Sequence, residues 1–287
     1  MTERLSHVEE RIASVQQLSA VISAMRGVAA ARSLEARSHI DAIRTYALTI
    51  GDAIGRGLTF LTPEERVVPS HDMPGGHAVI ALCAEQGFAG SFSQRILAAA
   101  RPLLDKSSDA TTLLLLGDRG LMAAEENELA ADWSAPMIAH PEEAAALANR
   151  IVDALYERLD EGRIVQVTLV HAVPGGTGNE EIVEKRLIPF DFERFPPPQG
   201  APEPLLNLPP QTLLARLAEE YVFAEICEAV MLSFAAENEA RMRAMIAARA
   251  NVDETLETLT ARSRQLRQEE ITSEIIELAS GAAASIR

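Results

Sequence analysis

Proline is missing from residues 1–58 and again from residues 211–287; all 15 prolines of the 287-residue chain fall between Pro63 and Pro210. Proline removes a backbone donor and clashes with the preceding turn, so its absence permits long unbroken helices at both ends. At about 1.5 Å of rise per residue the two stretches span roughly 85 and 110 Å, several times an ordinary helix. Soluble helices of that length occur mainly as coiled coils, where a partner covers the apolar stripe. The two ends therefore read as a shaft or strut.

Apolar spacing supports a coiled coil. Near the N-terminus Leu5, Val8, Ile12, Val15, Ile22, Met25 and Val28 recur; the gaps of three and four from Leu5 to Val15 make a heptad seam, with Ser19 in the next expected place. The stripe then turns small at Ala29, Ala30, Ala31 and Ala36, which admits close approach of a second helix. Near the C-terminus Val252, Leu256, Leu259 and Leu266 repeat the pattern around Ser263. Ile271, Ile275, Leu278 and Ala282 continue it in a shifted register. Two seams at opposite ends of one chain most simply pair with each other, antiparallel.

The stretch between them alternates strand and helix signals. Residues 77–83, 111–116 and 164–170 are short apolar runs of strand length, and 93–104, 120–129 and 141–159 are helix-like. That alternation implies a mainly parallel sheet. Residues 181–190 follow a glycine-rich turn and read as an edge strand, and the prolines from Pro196 to Pro210 mark an extended linker. The fold class expected is α/β: a long antiparallel coiled coil with a small Rossmann-like α/β domain inserted. Its parts are an N-terminal coiled-coil helix at 1–58, the α/β domain with its linker at 59–204, and a C-terminal coiled-coil helix at 205–287.

Charge excludes one class of function. The formal net charge is −16, made of +1 over residues 1–58, −12 over 59–204 and −5 over 205–287. A nucleic-acid binder needs a basic face, so none is expected as a partner. No run of 18 apolar residues is present, and the start Met1-Thr2-Glu3-Arg4 has no apolar signal segment, which suggests a cytosolic setting. Cys83 and Cys227 lack metal-type spacing and are expected to be reduced and buried.

Candidate chemistry is sparse. Gly87-Phe88-Ala89-Gly90 follows the first strand and precedes a helix, where a phosphate loop would sit. The three-glycine dinucleotide fingerprint is missing, no Gly-Lys-Ser/Thr is present, and Glu85 places an acid at the loop entrance. A tight structural turn is the better reading. The six histidines show no paired metal spacing, and no serine sits in a nucleophile elbow. No catalytic, cofactor or metal site is expected. The arginines of the last helix, Arg241, Arg243, Arg262, Arg264 and Arg267 with Gln268, read either as exposed salt-bridged positions or as donors to a surrounding partner.

At these residues the chain resembles the γ subunit of F-type ATP synthases. The N-terminal likeness runs through Ile12-Ala13-Ser14-Val15, Ala24-Met25 and Val28-Ala29-Ala30. The C-terminal likeness is stronger: Glu220-Tyr221, Ala240-Arg241-Met242, Ala244-Met245, Ala247-Ala248, Asn251, Leu259-Thr260, Arg267-Gln268, Ile271-Thr272, Glu274-Ile275 and Ser280-Gly281-Ala282-Ala283. Gly87–Ser91 and Gly117-x-x-Gly120 match two glycine turns of the family. Ala20 and Ser23 stand where the family usually has lysines, Ser93 stands for an asparagine, and the balance is unusually acidic. These departures suggest a divergent branch, such as an alternative F-type ATPase carried beside a main enzyme.

The resemblance implies a central rotor shaft inside a head of α and β subunits. The α/β domain, with an epsilon subunit, would rest on the c-subunit ring on the cytoplasmic side of a bacterial inner membrane. Catalysis would belong to the partners. Arg267 and Gln268 would touch a β-subunit loop, with Met25 on the facing helix at a similar height, and the tail ending at Ile286 would turn in an apolar collar. Ile12, Val15, Ile22, Leu256, Leu259, Ile271, Ile275 and Leu278 would form the seam. From the residues alone, two other readings stay open: a nucleotide-binding α/β enzyme with a helical-hairpin extension, and a free coiled-coil scaffold.

Overall fold

The structure, a computed structural model, describes residues 5–62, 75–105, 111–175, 180–196 and 205–285, with side chains as far as Leu278. In chain order its elements are α1 (Leu5–Gly57), β1 (Gly76–Leu82), α2 (Phe92–Asp105), β2 (Thr111–Leu116) and α3 (Asp118–Glu126). They continue with β3 (Trp133–Ala135), α4 (Ala144–Asp160), β4 (Ile164–Val173), β5 (Glu181–Ile188) and α5 (Pro210–Ser285). The two proline-free ends are helices of 53 and 76 residues. Pro210 opens α5 at a position whose missing N–H would have had no helical partner. The chain divides into two compact units, Met1–Val28 with Met242–Arg287, and Ala29–Arg241.

In the first unit the two helix segments run antiparallel. Arg249 Nη1 donates to Ser23 Oγ at 3.0 Å and Arg267 Nη2 to Glu9 Oε1 at 2.7 Å, so partner numbers run in opposite directions. Ile22, Met245 and Val252 are buried at the seam, with Val15, Met25, Ala244, Ala248 and Leu256 against them. Val8 and Leu259 are buried further along, as are the seam serines Ser19 and Ser263; Ile12 is half-buried.

Three expectations change here. Ile271, Ile275 and Leu278 are 51%, 61% and 74% exposed, so the buried seam ends before them. The pairings above show why: from Ile271 onward α5 lies at or past the described start of α1, Leu5. Val28 faces outward, because the inward position of that turn is taken by Ala29. Met25 is not level with Arg267; Arg267 meets Glu9, and the α1 turn that holds Met25 stands opposite Arg249.

The second unit is built on a five-stranded sheet of order β3-β2-β1-β4-β5, parallel except for the β4–β5 pair. Side chains alternate across it, as strand geometry requires. Ala78, Ile80 and Leu82 of β1 join a core completed by α4 and by residues of α1 and α5, among them Ala36, Ile40, Val222, Ile226 and Val230. Val79 and Ala81 face the other way, into a core with Phe92, Ile96 and Leu97 of α2 and Ala123 and Ala124 of α3. A third cluster joins Ile50, Ile54 and Leu58 to Phe195, Leu214 and Tyr221. The strand and helix expectations are met within a few residues; β3, three residues long, is an addition.

Candidate functional site

In a doubly wound sheet the ligand crevice opens at the carboxyl ends of the strands, where the strand order reverses. In this sheet that point lies between β1 and β4, since the chain builds outward to β3 and then returns to the far side of β1. Helix α5 fills it. Ser233 Oγ accepts from Ala172 N at 3.1 Å, beyond which β4 ends, and donates to Leu82 O at the end of β1 at 3.4 Å.

One helical turn later, the Glu237 carboxylate accepts the N–H groups of Glu85 at 3.3 Å and Gln86 at 3.2 Å. A further turn on, Arg241 donates from Nε to Gly87 O at 3.1 Å and from Nη2 to Gln86 O at 3.2 Å, and it also pairs with Glu237. These are the backbone groups that a phosphate loop would offer to a nucleotide, and a carboxylate of the same chain holds the donors. Burial pushes the Glu237 carboxyl above the ordinary glutamate range, while the Arg241 guanidinium pulls it back.

The turn itself is shaped for this contact. Glu85 accepts from Met137 N at 2.7 Å and from Asp118 N at 3.3 Å, so the acid at the loop entrance ties together the segments that follow β1, β2 and β3. Gly117 has φ +95°, and a Cβ there would lie 2.6 Å from Ala84 O, which only glycine avoids. Phe88 adopts φ 63° and is 66% exposed. The hollow beside it, lined by Gln86, Arg119, Met122 and Glu126, holds about 220 Å3, below the size of ordinary small-molecule sites.

The sequence-named positions fall in two groups. Ile12, Val15, Ile22, Leu256 and Leu259 line the seam of the first unit, whereas Ile271, Ile275 and Leu278 lie outside it. Met25 is half-buried against the seam. Arg267 is largely exposed beside Glu9, and Gln268 is exposed. Ile286 lies outside the described residues. Arg241, which its charge alone made an exposed position or a partner contact, is 5% exposed and bonded within the chain. The stripe Ser233–Glu237–Arg241 was not singled out by sequence reasoning. Its signal is a set of polar residues at four-residue spacing that follows the apolar run Ala229–Leu232 and is interrupted by Phe234, Ala235, Ala236 and Ala240.

Cys83 and Cys227 are free and buried. Among the described residues no group of three or more His, Cys, Asp or Glu is placed to hold a metal, and no helix is long and apolar enough to cross a membrane.

Comparison with known proteins places this geometry. A family model described as ATP synthase matches residues 4–284. The ATP synthase gamma chain of Parafrankia sp. is 29% identical over 292 residues, covering 98% of each chain. That of Solibacter usitatus is 28% identical, covering 98% of this chain and 99% of its own. Among solved structures, the rotor of the Euglena gracilis mitochondrial ATP synthase aligns with a TM-score of 0.61 at 14% identity, over 93% of this chain and 98% of that one. The central stalk of the Tetrahymena thermophila mitochondrial enzyme gives 0.55 at 20% identity, over 79% and 99%. These two likenesses concern the fold.

Proposed function

The chain belongs to the ATP synthase family, and we propose that it acts there as the γ subunit, a rotor shaft that couples ion flow through a membrane sector to ATP synthesis or hydrolysis. The observation that carries this reading is the pairing of an antiparallel two-helix unit with an α/β crevice that the chain fills with its own helix. Such a molecule offers contacts to partners, and the crevice at its strand ends is taken by its own helix. Catalysis then belongs to α and β subunits around the shaft, with an epsilon subunit and the c-subunit ring at its base, on the cytoplasmic side of a bacterial membrane. The domain limits of the sequence reading belong to this proposal: a coiled coil from 1–58 and 205–287 with the α/β domain at 59–204.

The outer surface of the helix pair supports a surrounding partner. Leu18 and Val21 on α1, and Ile271, Ile275, Ile276 and Leu278 on α5, are each more than half exposed. A group of exposed apolar side chains on one segment, as at Ile271–Leu278, marks an interaction site. Ile271, Ile275 and Leu278 thus serve the collar of the head rather than the internal seam. Arg267 and Gln268 would meet a β-subunit loop. The ion pair of Arg267 with Glu9 is solvent-exposed and weak, so its guanidinium is easily re-paired. Met25 would follow lower on the shaft, and Ile286 near its tip.

Two unlike helices make a shaft without rotational symmetry. Turning it presents a different face to each surrounding site and biases each toward a different conformation, which is population shift by differential contact. The test is co-expression with the α and β chains of the same genome and purification through this subunit. A complex that hydrolyses ATP supports the proposal; recovery of this chain alone, folded and without partners, favours a free scaffold and overturns it.

A further inference from the structure

Ser233, Glu237 and Arg241 lie four residues apart on one line of α5 and are 1%, 3% and 5% exposed. Their bonds to the strand ends run in both directions: Ala172, Glu85 and Gln86 donate to the helix, and the helix donates to Leu82, Gln86 and Gly87. Asn238 steadies the arrangement, accepting from Arg241 Nη1 at 2.9 Å while donating to Phe234 O at 2.9 Å. α5 also meets the sheet through apolar residues, among them Val230, Met231, Phe234, Ala235, Ala236 and Ala240, and two turns earlier through the ion pair of Glu225 with Lys185 of β5. Apolar attraction is non-directional, so it resists rotation about the helix axis only through the interdigitation of side chains. Hydrogen bonds with defined angles resist rotation.

We propose that Ser233, Glu237 and Arg241 are positioning residues that lock the rotational setting of α5 on the α/β domain, so that torque carried along α5 passes into the domain without slip. The proposal rests on the γ-subunit reading. It assigns the polar stripe a mechanical task that burial of the same helix by leucine and alanine would not perform. The strained φ of Phe88, next to the Gly87 carbonyl that Arg241 holds, fits a turn fixed by its surroundings.

The experiment uses the assembled membrane complex in inverted vesicles and compares wild type with Arg241→Lys and Glu237→Gln. ATP hydrolysis and ATP-driven ion uptake are measured on the same vesicles, and the readout is ions moved per ATP hydrolysed. Lysine keeps the charge but cannot reach Gln86 O, Gly87 O and Asn238 together as the guanidinium fork does. Expected is near-normal hydrolysis per assembled complex with a several-fold fall in ions moved per ATP. A residue that merely supports folding would lower both activities in proportion, through the amount of complex, and leave the ratio unchanged. An unchanged ratio overturns the proposal. If both variants fail to assemble, Ser233→Ala, which removes only one hydroxyl, supplies the ratio and decides in the same way. Failure of the wild-type chain to assemble with α and β would instead refute the γ-subunit reading.

Discussion

The first unit stands on a thin apolar seam, and Ile22→Ala measures how thin. Ile22 is 6% exposed and, among the described residues, shares its cluster with two other buried ones, Met245 and Val252, while Ser19 and Ser263 occupy seam positions that could have held further hydrophobes. The substitution removes three carbons, each contributing about 0.8 kcal/mol when buried, and leaves a cavity, for a total of about 2–4 kcal/mol. That corresponds to roughly a 30- to 900-fold rise in local opening, since about 1.4 kcal/mol is a factor of ten. Hydrogen exchange on the full chain reads it directly. Amides around Ile22 in α1 and from Met245 to Leu256 in α5 should exchange faster by that factor, and those of β1, β2 and β4 should not change. Equal acceleration in the strands would refute the reasoning, because it would mean that the two units open as one. No change near Ile22 would refute it as well, by showing that the seam is not what protects those amides.

Other substitutions probe the second unit. A Cβ on Gly120 would stand 2.3 Å from Cys83 Cβ, so Gly120→Ala should force β1 and α3 apart and cost about 1–3 kcal/mol, read as a lower unfolding midpoint in urea; an unchanged midpoint would refute the close approach. Burial holds the His171 imidazole down to about 4 from an ordinary 6.5, so the stability gained by keeping it neutral is whole above pH 6.5 and is lost as pH falls toward 4. His171→Asn should therefore lose about 2 kcal/mol less than wild type between roughly pH 6.5 and 5, and equal losses would refute the assignment. Burial also raises both thiols, Cys227 to about 12 and Cys83 further, so neither should react with a thiol reagent at neutral pH until the chain unfolds. Rapid labelling of the folded chain would contradict their placement.

The parts of this molecule written in short-range pattern were legible in its sequence. Proline distribution set the long helices, and three- and four-residue spacing placed Val8, Ile22, Leu256 and Leu259 on the seam. Apolar runs bounded by turn residues gave β1, β2 and β4. What failed depends on distance in space. Three- and four-residue spacing resumes in a shifted register through Ile271, Ile275 and Leu278, but whether those positions are covered depends on where the opposite helix starts. Arg241 and Glu237 spell solvent when read singly. They are buried because α5 passes over the strand ends, a fact held jointly by β1, β4 and the turn at Glu85–Gly87. Strand β3 escaped because Trp133–Ala135 is too short to show a period.

The filled crevice carries a last consequence that can be tested in solution. Glu237 supplies a negative charge to two backbone N–H groups beside a buried guanidinium, which is the arrangement that binds anions elsewhere. Glu237→Ala removes the resident carboxylate and leaves the Glu85 and Gln86 donors facing the space it occupied, with Arg241 at its side. The variant should be less stable than wild type, since a buried pair has lost one partner. It should also gain what wild type lacks: stabilisation by inorganic phosphate. At a ligand concentration of about ten times the dissociation constant the gain is about 1.4 kcal/mol, by mass action on the folded state alone. The measurement is a thermal-melt titration of both proteins with phosphate, against chloride at matched ionic strength. A phosphate-dependent rise confined to Glu237→Ala would mean that the carboxylate occupies an anion seat that the fold still offers. Equal curves for the two proteins would mean that the turn collapses without Glu237, and would sink the equivalence between carboxylate and phosphate drawn from the geometry.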